Sequence, residues 1–195
     1  MKNSKVRNLT VTAVLAAVAT VLMFLDFSVP VMPGFIKLDF SELPALIASF
    51  ALGPLSGAAV CLIKNIVNAL SSSTFGIGEL SNFLLGCLFV VPAGLIYRKM
   101  QGRKGALVGA LSGAALMALG SVITNYYIVY PAYTVFMPMD AILGMYRVIN
   151  PNIENLWQAL LLFNLPFTFF KGLCNTAITF LVYKKLSPIL KGSAK

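Results

Sequence analysis

Residues 105–130, GALVGALSGAALMALGSVITNYYIVY, form an apolar run that contains no charged side chain. An uninterrupted run of about 18 or more apolar residues is typical of a helix that crosses a lipid bilayer. Other apolar runs predict further helices at about residues 8–27, 42–52, 54–70, 79–97 and 157–183. We therefore predict an all-α integral membrane protein, with six transmembrane helices that form a single membrane domain over residues 1–195.

The composition supports the same class of protein. Hydrophobic residues make up 58% of the chain and charged residues only 11%, whereas about a quarter of a soluble domain is charged. A soluble fold with so few charges would expose very large apolar patches. A lipid bilayer is therefore the predicted partner of most of the surface. The three cysteines lie inside apolar runs without a metal-binding spacing, and we interpret them as small buried hydrophobes.

The chain has a net charge of +9, and eleven of its 15 basic residues cluster at three places. These are Lys2, Lys5 and Arg7 before the first helix, Arg98, Lys99, Arg103 and Lys104 between the fourth and fifth, and Lys184, Lys185, Lys191 and Lys195 after the sixth. With six helices, all three groups fall on one face of the membrane, which the positive-inside rule makes cytoplasmic. We therefore predict a multi-pass protein of a prokaryotic cytoplasmic membrane with both termini inside, and no nucleic acid partner.

The connecting segments differ in character. Residues 28–41 contain two prolines and a glycine, and they predict an ordered, non-helical outer loop between the first two helices that acts as a lid. Residues 131–156 predict a long outer loop, and long loops beside a scaffold often carry function. The second helix is too short to cross a bilayer alone. Gly53 and Pro54 predict a tight turn that joins it to the third.

The sixth predicted helix carries Asn164, Thr168, Lys171 and Asn175, whose spacings of four, three and four place them on one face. Polar side chains at membrane depth are costly and ask for a partner. Such a stripe either bonds other helices or faces a ligand. The deep ammonium of Lys171 requires a carboxylate or a ligand that supplies carbonyl oxygens.

Other helices carry polar residues at corresponding depth. We expect Lys64 to form a structural ion pair with Glu79 or Glu42. Amides and aromatic residues add to this set, namely Asn82, Asn125 and Tyr130. Together these side chains predict an outer pocket that suits a flat, mostly neutral ring system with several carbonyls and hydroxyls. The carboxylates are too few and scattered to predict a metal site.

Catalytic machinery of the known kinds is missing from the sequence. The chain has no histidine and no GxxxxGK[ST] phosphate loop, so we predict neither an ATPase nor an enzyme with a conventional hydrolytic site. Ala13 and Ala17 in the first helix form a small-xxx-small pair, which serves either internal helix packing or the docking of a partner subunit.

Several short strings, taken in their order and spacing, resemble a known family. They are FIKLDFSELPALI (35–47), GPLSG (53–57), LIKN (62–65), GELSNFLLG (78–86), TNYYIVYPAY (124–133) and PFTFFKG (166–172). The chain resembles the substrate-binding S components of energy-coupling factor (ECF) vitamin transporters, in particular the riboflavin-specific members. The resemblance covers most of the chain.

The resemblance implies a six-helix subunit that captures riboflavin, with no cofactor, for a module of one transmembrane coupling subunit and two cytoplasmic ATPases. Ala13 and Ala17 match the family's docking pattern. The implied substrate-binding residues are Leu38, Asp39, Glu79, Asn82, Asn125, Tyr130, Asn164, Thr168 and Lys171. Thr168 departs from the asparagine expected there, and this leaves affinity and exact substrate open. Another vitamin or flavin mononucleotide as substrate, an integral membrane enzyme and a scaffold subunit remain the alternatives.

Overall fold

The computed structural model of the protein describes residues 2–34, 36–72 and 76–191, with side chains described for 5–34, 36–72 and 76–183. Its helices are α1 (Lys2–Phe24), α2 (Glu42–Ala51), α3 (Pro54–Ala69), α4 (Ile77–Lys99), α5 (Arg103–Thr124), α6 (Tyr130–Tyr133), α7 (Met139–Ile149), α8 (Leu156–Ala159) and α9 (Leu165–Lys191). Two π-helical turns, Asn125–Val129 and Leu160–Asn164, join α5 to α6 and α8 to α9. Two short strands, β1 (Phe27–Ser28) and β2 (Lys37–Leu38), pair antiparallel.

Four helical stretches in the described residues are long and apolar enough to cross a membrane: Lys5–Phe24, Ile77–Lys99, Arg103–Tyr133 and Leu156–Tyr183. The predicted all-α membrane class agrees with them. The other two predicted spans are shorter, since α2 has 10 residues and α3 has 16. At a rise of 1.5 Å per residue, α2 extends only about 15 Å, half of a bilayer's hydrocarbon core.

The short helix α2 lies at the centre of the bundle. It contacts α1, α3, α4 and α9, and its residues from Pro44 to Phe50 are all buried. A helix that is apolar all round has to be enclosed in this way. The predicted turn after it is present: Gly53 adopts a φ of 117° that favours glycine, and Pro54 begins α3.

Small residues let α4 and α5 approach closely. A Cβ atom added at Gly109 would lie 2.6 Å from the carbonyl oxygen of Ala93, and one added at Gly113 would lie 2.2 Å from that of Phe89. Such contacts are possible only without a side chain, as in other membrane helix pairs. The α4–α5 pair therefore provides a rigid wall for the bundle.

The two π turns interrupt runs that the sequence predicted as continuous helices, and a proline follows each turn. Proline lacks an N–H group, and its ring clashes with the carbonyl four residues earlier. A π turn shifts hydrogen bonding to the fifth residue and widens the helix, which removes this conflict. Pro131 and Pro166 thus account for the positions of both turns.

The two predicted loops have different outcomes. The segment between α1 and α2 is non-helical, as predicted, and the β1–β2 pair closes it into a hairpin. The prediction of a long loop over residues 131–156 was wrong, because the segment contains α7. This helix buries Ile142, Leu143 and Tyr146 along one face, so packing against the bundle stabilises it.

Candidate ligand-binding site

A cavity of about 540 Å³ opens where the hairpin between α1 and α2 meets α3, α4, the first π turn and α9. This volume lies within the range of small-molecule pockets. Its lining combines carboxylates, amides, hydroxyls and apolar groups. The lining residues are Met23, Phe24, Asp26, Ile36, Lys37, Asp39, Glu42, Asn68, Ser71, Ser72, Gly78, Glu79, Ser81, Asn82, Leu85, Met117, Asn125, Val129, Tyr130, Tyr133, Asn164, Phe167, Thr168 and Lys171.

Most of the residues predicted to bind substrate lie in this lining, although they come from four parts of the chain. Those that line the cavity are Asp39, Glu79, Asn82, Asn125, Tyr130, Asn164, Thr168 and Lys171. Leu38 does not line it, since this buried residue of β2 lies opposite Phe27 in the hairpin. Asn175 also lies outside the lining: it is fully buried and donates a hydrogen bond to the carbonyl of Lys171.

Four charged residues form a buried cluster at the base of the cavity. Lys171 Nζ lies 2.8 Å from Asp39 Oδ2 and 3.3 Å from Glu42 Oε2. Lys64 Nζ lies 2.8 Å from the other carboxylate oxygen of Glu42, Oε1, and also donates to the hydroxyl of Ser41. The predicted pairing of Lys64 with an acid is confirmed, with Glu42 as the partner. Lys171 has the carboxylate partners that its depth requires.

The cluster is balanced, with two ammonium groups and two carboxylates. The side chains of Lys64 and Glu42 are 0% and 1% exposed, and those of Lys171 and Asp39 are 12% and 8% exposed. Burial by itself raises the pKa of the Asp39 carboxyl. The charges of Lys171 and Lys64 and hydrogen bonds from Lys171 and Ser41 outweigh burial, so this pKa lies below its usual value. Asp39 therefore remains a carboxylate and ties the hairpin segment to α9.

A second polar network joins α7 to the cavity wall. The hydroxyl of Tyr146 donates to Asn164 Oδ1 at 2.6 Å, and it also forms a hydrogen bond with the hydroxyl of Tyr130. All three residues are buried, but only Tyr130 and Asn164 line the cavity. Sequence reasoning missed Tyr146, because it lies in the segment predicted as a loop. Its spacing of four from Ile142 was the available signal.

The mouth of the cavity carries further charges. Lys37 Nζ donates to both carboxylate oxygens of Asp26 at 3.0 Å, which ties the hairpin to the end of α1. Glu79 Oε2 accepts a hydrogen bond from the hydroxyl of Ser72 at 2.9 Å. The lining therefore holds four carboxylates, on Asp26, Asp39, Glu42 and Glu79, against two ammonium groups, on Lys37 and Lys171.

The rest of the lining contains both polar and apolar groups. Asn68, Asn82 and Asn125 supply amides that can donate and accept hydrogen bonds. Apolar surface comes from Met23, Ile36, Leu85, Met117, Val129 and Phe167. Among the residues that the structure describes, no three His, Cys, Asp or Glu side chains group into a potential metal site. The cavity can therefore hold a flat molecule with an apolar edge and a polar edge.

The predicted docking pair lies away from the cavity. Ala13 and Ala17 are both exposed on α1, and Val14 and Val18 beside them are exposed as well. The neighbouring residues Leu15, Ala16 and Ala19 face the core. Internal packing therefore does not account for the two alanines. Together with the two valines they form an exposed apolar face on α1 that is made of small side chains.

Comparisons with known proteins agree on one family. The family model for the substrate-specific component of ECF transporters matches residues 7–183. The chain is 35% identical over 187 residues to the riboflavin transporter FmnP of Bacillus subtilis (strain 168), covering 94% of each chain. It is 31% identical over 185 residues to the riboflavin transporter RibU of Staphylococcus aureus (strain TCH60), covering 95% of this chain and 93% of the relative.

A solved structure, described as the S component of a bacterial ECF transporter, has the same fold. It superposes with a TM-score of 0.75 at 30% sequence identity, and the match covers 98% of this chain and 99% of that one.

Proposed function

Since this chain belongs to the family of ECF transporter substrate-specific components, we propose that it binds riboflavin with high affinity and delivers it for ATP-driven uptake. It is a transporter subunit and not an enzyme. The ATP is hydrolysed by two separate cytoplasmic subunits, which act through a transmembrane coupling subunit. Riboflavin is the transported ligand, and the chain uses no cofactor.

The observation that carries this proposal is the cavity itself, whose lining combines amides with apolar side chains beside the hairpin. The flavin ring presents a carbonyl, an N–H and a second carbonyl along one edge, and the amides of Asn125 and Asn164 can pair with this pattern. Its dimethylbenzene edge is apolar and suits contact with apolar lining residues such as Leu85, Met117 and Phe167. The sugar-alcohol chain carries hydroxyls that can donate to carboxylates at the mouth.

Lys171 contributes to ligand binding even though it is paired with Asp39 and Glu42. An ammonium has three N–H donors, so two carboxylate partners leave a donor for a flavin carbonyl. We expect Lys171→Ala to weaken riboflavin binding by about 1–3 kcal/mol, the usual cost of leaving a buried polar partner unsatisfied. Titration of the purified variant, followed by quenching of flavin fluorescence, measures this loss, and unchanged affinity would remove Lys171 from the site.

The charges of the lining favour riboflavin over its phosphate ester. With Lys64 counted beside its partner Glu42, four carboxylates face three ammonium groups at this site, and the remaining negative charge disfavours a phosphate. Two basic residues outside the buried cluster already have partners: Lys37 is paired with Asp26, and Arg147 donates to the carbonyls of Ile153 and Glu154. We expect flavin mononucleotide to bind more weakly than riboflavin in the same titration. Equal or tighter binding of the mononucleotide would contradict this assignment.

The experiment that tests the proposed function combines binding with uptake. Protein purified from cells grown with riboflavin should be yellow, and flavin-free protein should quench added riboflavin at a 1:1 ratio. Co-expression with the coupling subunit and the ATPases should give riboflavin uptake that stops when ATP hydrolysis is blocked. A colourless protein that binds no flavin but promotes uptake of another vitamin would redirect the assignment within the family.

The topology belongs to the same proposal. Six membrane-crossing helices, with α2 and α3 as the two short ones, place the basic group around Arg98 and Arg103 on the cytoplasmic face of the cell membrane. A single cysteine introduced at Gln101, in a chain whose native cysteines are replaced, should escape a membrane-impermeant thiol reagent in intact cells. Labelling of that cysteine from outside would reverse the proposed orientation.

A further inference from the structure

Tyr146 lies beside the proposed site without lining it. It is 0% exposed on the buried face of α7, and a buried phenol hydroxyl requires hydrogen-bond partners. Its O–H donates to Asn164 Oδ1 at 2.6 Å, so in its bond with Tyr130 the hydroxyl of Tyr130 is the donor. Burial and the neighbouring Tyr130 raise the pKa of Tyr146, so that Tyr146 keeps the proton it donates.

These hydrogen bonds determine which end of the Asn164 carboxamide faces Tyr146 and which end faces the cavity. A carboxamide has an acceptor end and a donor end of nearly the same shape, and only its hydrogen bonds decide which end faces which way. In Asn164 the acceptor Oδ1 is bound to Tyr146, and the residue lines the cavity. The Nδ2 amino group is therefore the end left to donate, toward Tyr130 and toward a molecule in the cavity.

We propose that Tyr146 is a positioning residue that fixes the Asn164 amide with its NH₂ group toward the cavity. The site then selects a ligand that presents a carbonyl oxygen, and not a donor group, at that point. The inference rests on the proposed function, because the dione edge of a flavin supplies such an oxygen. Tyr146 does not line the cavity, and the positioning role proposed for it runs through Asn164. The helix α7 is thereby part of the specificity of the site.

A double-mutant cycle tests this role. Tyr146→Phe removes the hydroxyl with the least change of shape, and riboflavin affinity, measured by fluorescence quenching, should fall about 5-fold. In an Asn164→Ala background the same substitution should change affinity less than about 2-fold, because the amide that it orients is gone. Tyr126→Phe is the matched control: Tyr126 packs against Trp157 outside the cavity, and its substitution should leave affinity unchanged.

A second variant makes the test independent of how well Tyr146→Phe folds. Asn164→Asp keeps the oxygen that accepts from Tyr146 and replaces only the NH₂ end. We expect it to lose riboflavin affinity by more than about 10-fold, since an acceptor then faces the flavin carbonyl. A purely structural role of the Tyr146–Asn164 bond would leave this variant with wild-type affinity, which would overturn the inference.

The outcomes separate the two proposals. Riboflavin binding by the wild-type chain, with unchanged affinity in Tyr146→Phe, would overturn only the positioning role. An equal loss from Tyr146→Phe in the wild-type and Asn164→Ala backgrounds would also overturn it, because Tyr146 would then act by some other route. Failure of the wild-type chain to bind riboflavin would overturn the proposed function and this inference together.

Discussion

The balance of the buried charge cluster leads to a testable prediction about stability. Asp39, Glu42, Lys64 and Lys171 together carry no net charge, and all four are almost fully buried. Asp39→Asn leaves an excess positive charge, and Lys171→Met leaves an excess negative charge. The double variant Asp39→Asn/Lys171→Met restores neutrality and keeps the Lys64–Glu42 pair. The stability lost in the double variant should therefore be smaller than the sum of the losses in the two single variants.

The magnitudes follow from the distances. At an effective dielectric constant of about 20, a pair at 2.8 Å attracts by about 6 kcal/mol and a pair at 3.3 Å by about 5 kcal/mol. Desolvation of each ion offsets several kcal/mol of this. Breaking one buried pair costs about 3–5 kcal/mol, and we expect about 3 for each single variant because Lys171 or Asp39 keeps a second charged neighbour. The double variant should lose at most about 2 kcal/mol.

The assay is equilibrium unfolding in mixed micelles with a rising fraction of denaturing detergent, followed by circular dichroism. The expected interaction energy between the two sites is about 4 kcal/mol, the sum of the single losses minus the loss in the double variant. Additive losses, giving a double variant about 6 kcal/mol less stable than the wild type, would refute charge balance as the organising feature. The double variant also lacks the Lys171 ammonium without upsetting the charge, which makes it the better background for measuring what that ammonium contributes to flavin binding.

Three further predictions concern other parts of the chain. We propose that the exposed face of α1 docks a partner subunit, so Ala17→Leu should leave riboflavin binding unchanged but stop uptake; normal uptake in cells would exclude that role. Gly113→Ala should destabilise the fold by about 2 kcal/mol, since the new methyl group meets the Phe89 carbonyl. Gly144→Ala is the matched control in the same unfolding assay: it adds a methyl group in open space and should stabilise α7 by about 0.5–1 kcal/mol. The pKa of Asp39 is lower in the folded state than in the unfolded state, where it is about 4. The stability that Asp39 contributes is therefore fully present above about pH 4 and is lost only as the pH falls through the folded-state pKa. The chain has no histidine, so the unfolding midpoint should stay constant from about pH 5 to 8, and a decline in that window would contradict the assignment.

Hydropathy was sufficient to predict the six apolar helical runs, because exclusion of charge from lipid acts on each residue separately. The same reasoning found the turn at Gly53 and Pro54, whose backbone preferences are local. It did not find α7. This helix has only 11 residues and lies among prolines, and its apolar face becomes favourable only through contact with the bundle. Local pattern therefore predicted the membrane helices and missed the helix that depends on tertiary packing.

In the candidate site, too, local sequence pattern predicted some features and missed those that depend on distant parts of the chain. A polar stripe at helical spacing was enough to indicate that Asn164, Thr168 and Lys171 face one direction. The carboxylate that pairs with Lys171 was not predictable, since Asp39 is 132 positions away in the chain and lies in a non-helical segment. Of the two partners that sequence analysis allowed for Lys171, a carboxylate or a ligand, the carboxylates are present, so the chain itself neutralises the charge and the ligand needs to supply only one acceptor.

The short length of α2 explains why this charge cluster exists inside the protein at all. Glu42 occupies the first turn of α2, where the helix dipole favours a carboxylate, and it is nevertheless 1% exposed. In a helix that crossed the whole bilayer, a first-turn acid would lie at the membrane surface in contact with water. Because α2 is only ten residues long, its first turn begins within the bundle, and the hairpin that precedes it closes over the space above. The depth of the cavity and the burial of its charges are thus two consequences of one short helix, and both require the ion pairs with Lys64 and Lys171 to make that burial tolerable.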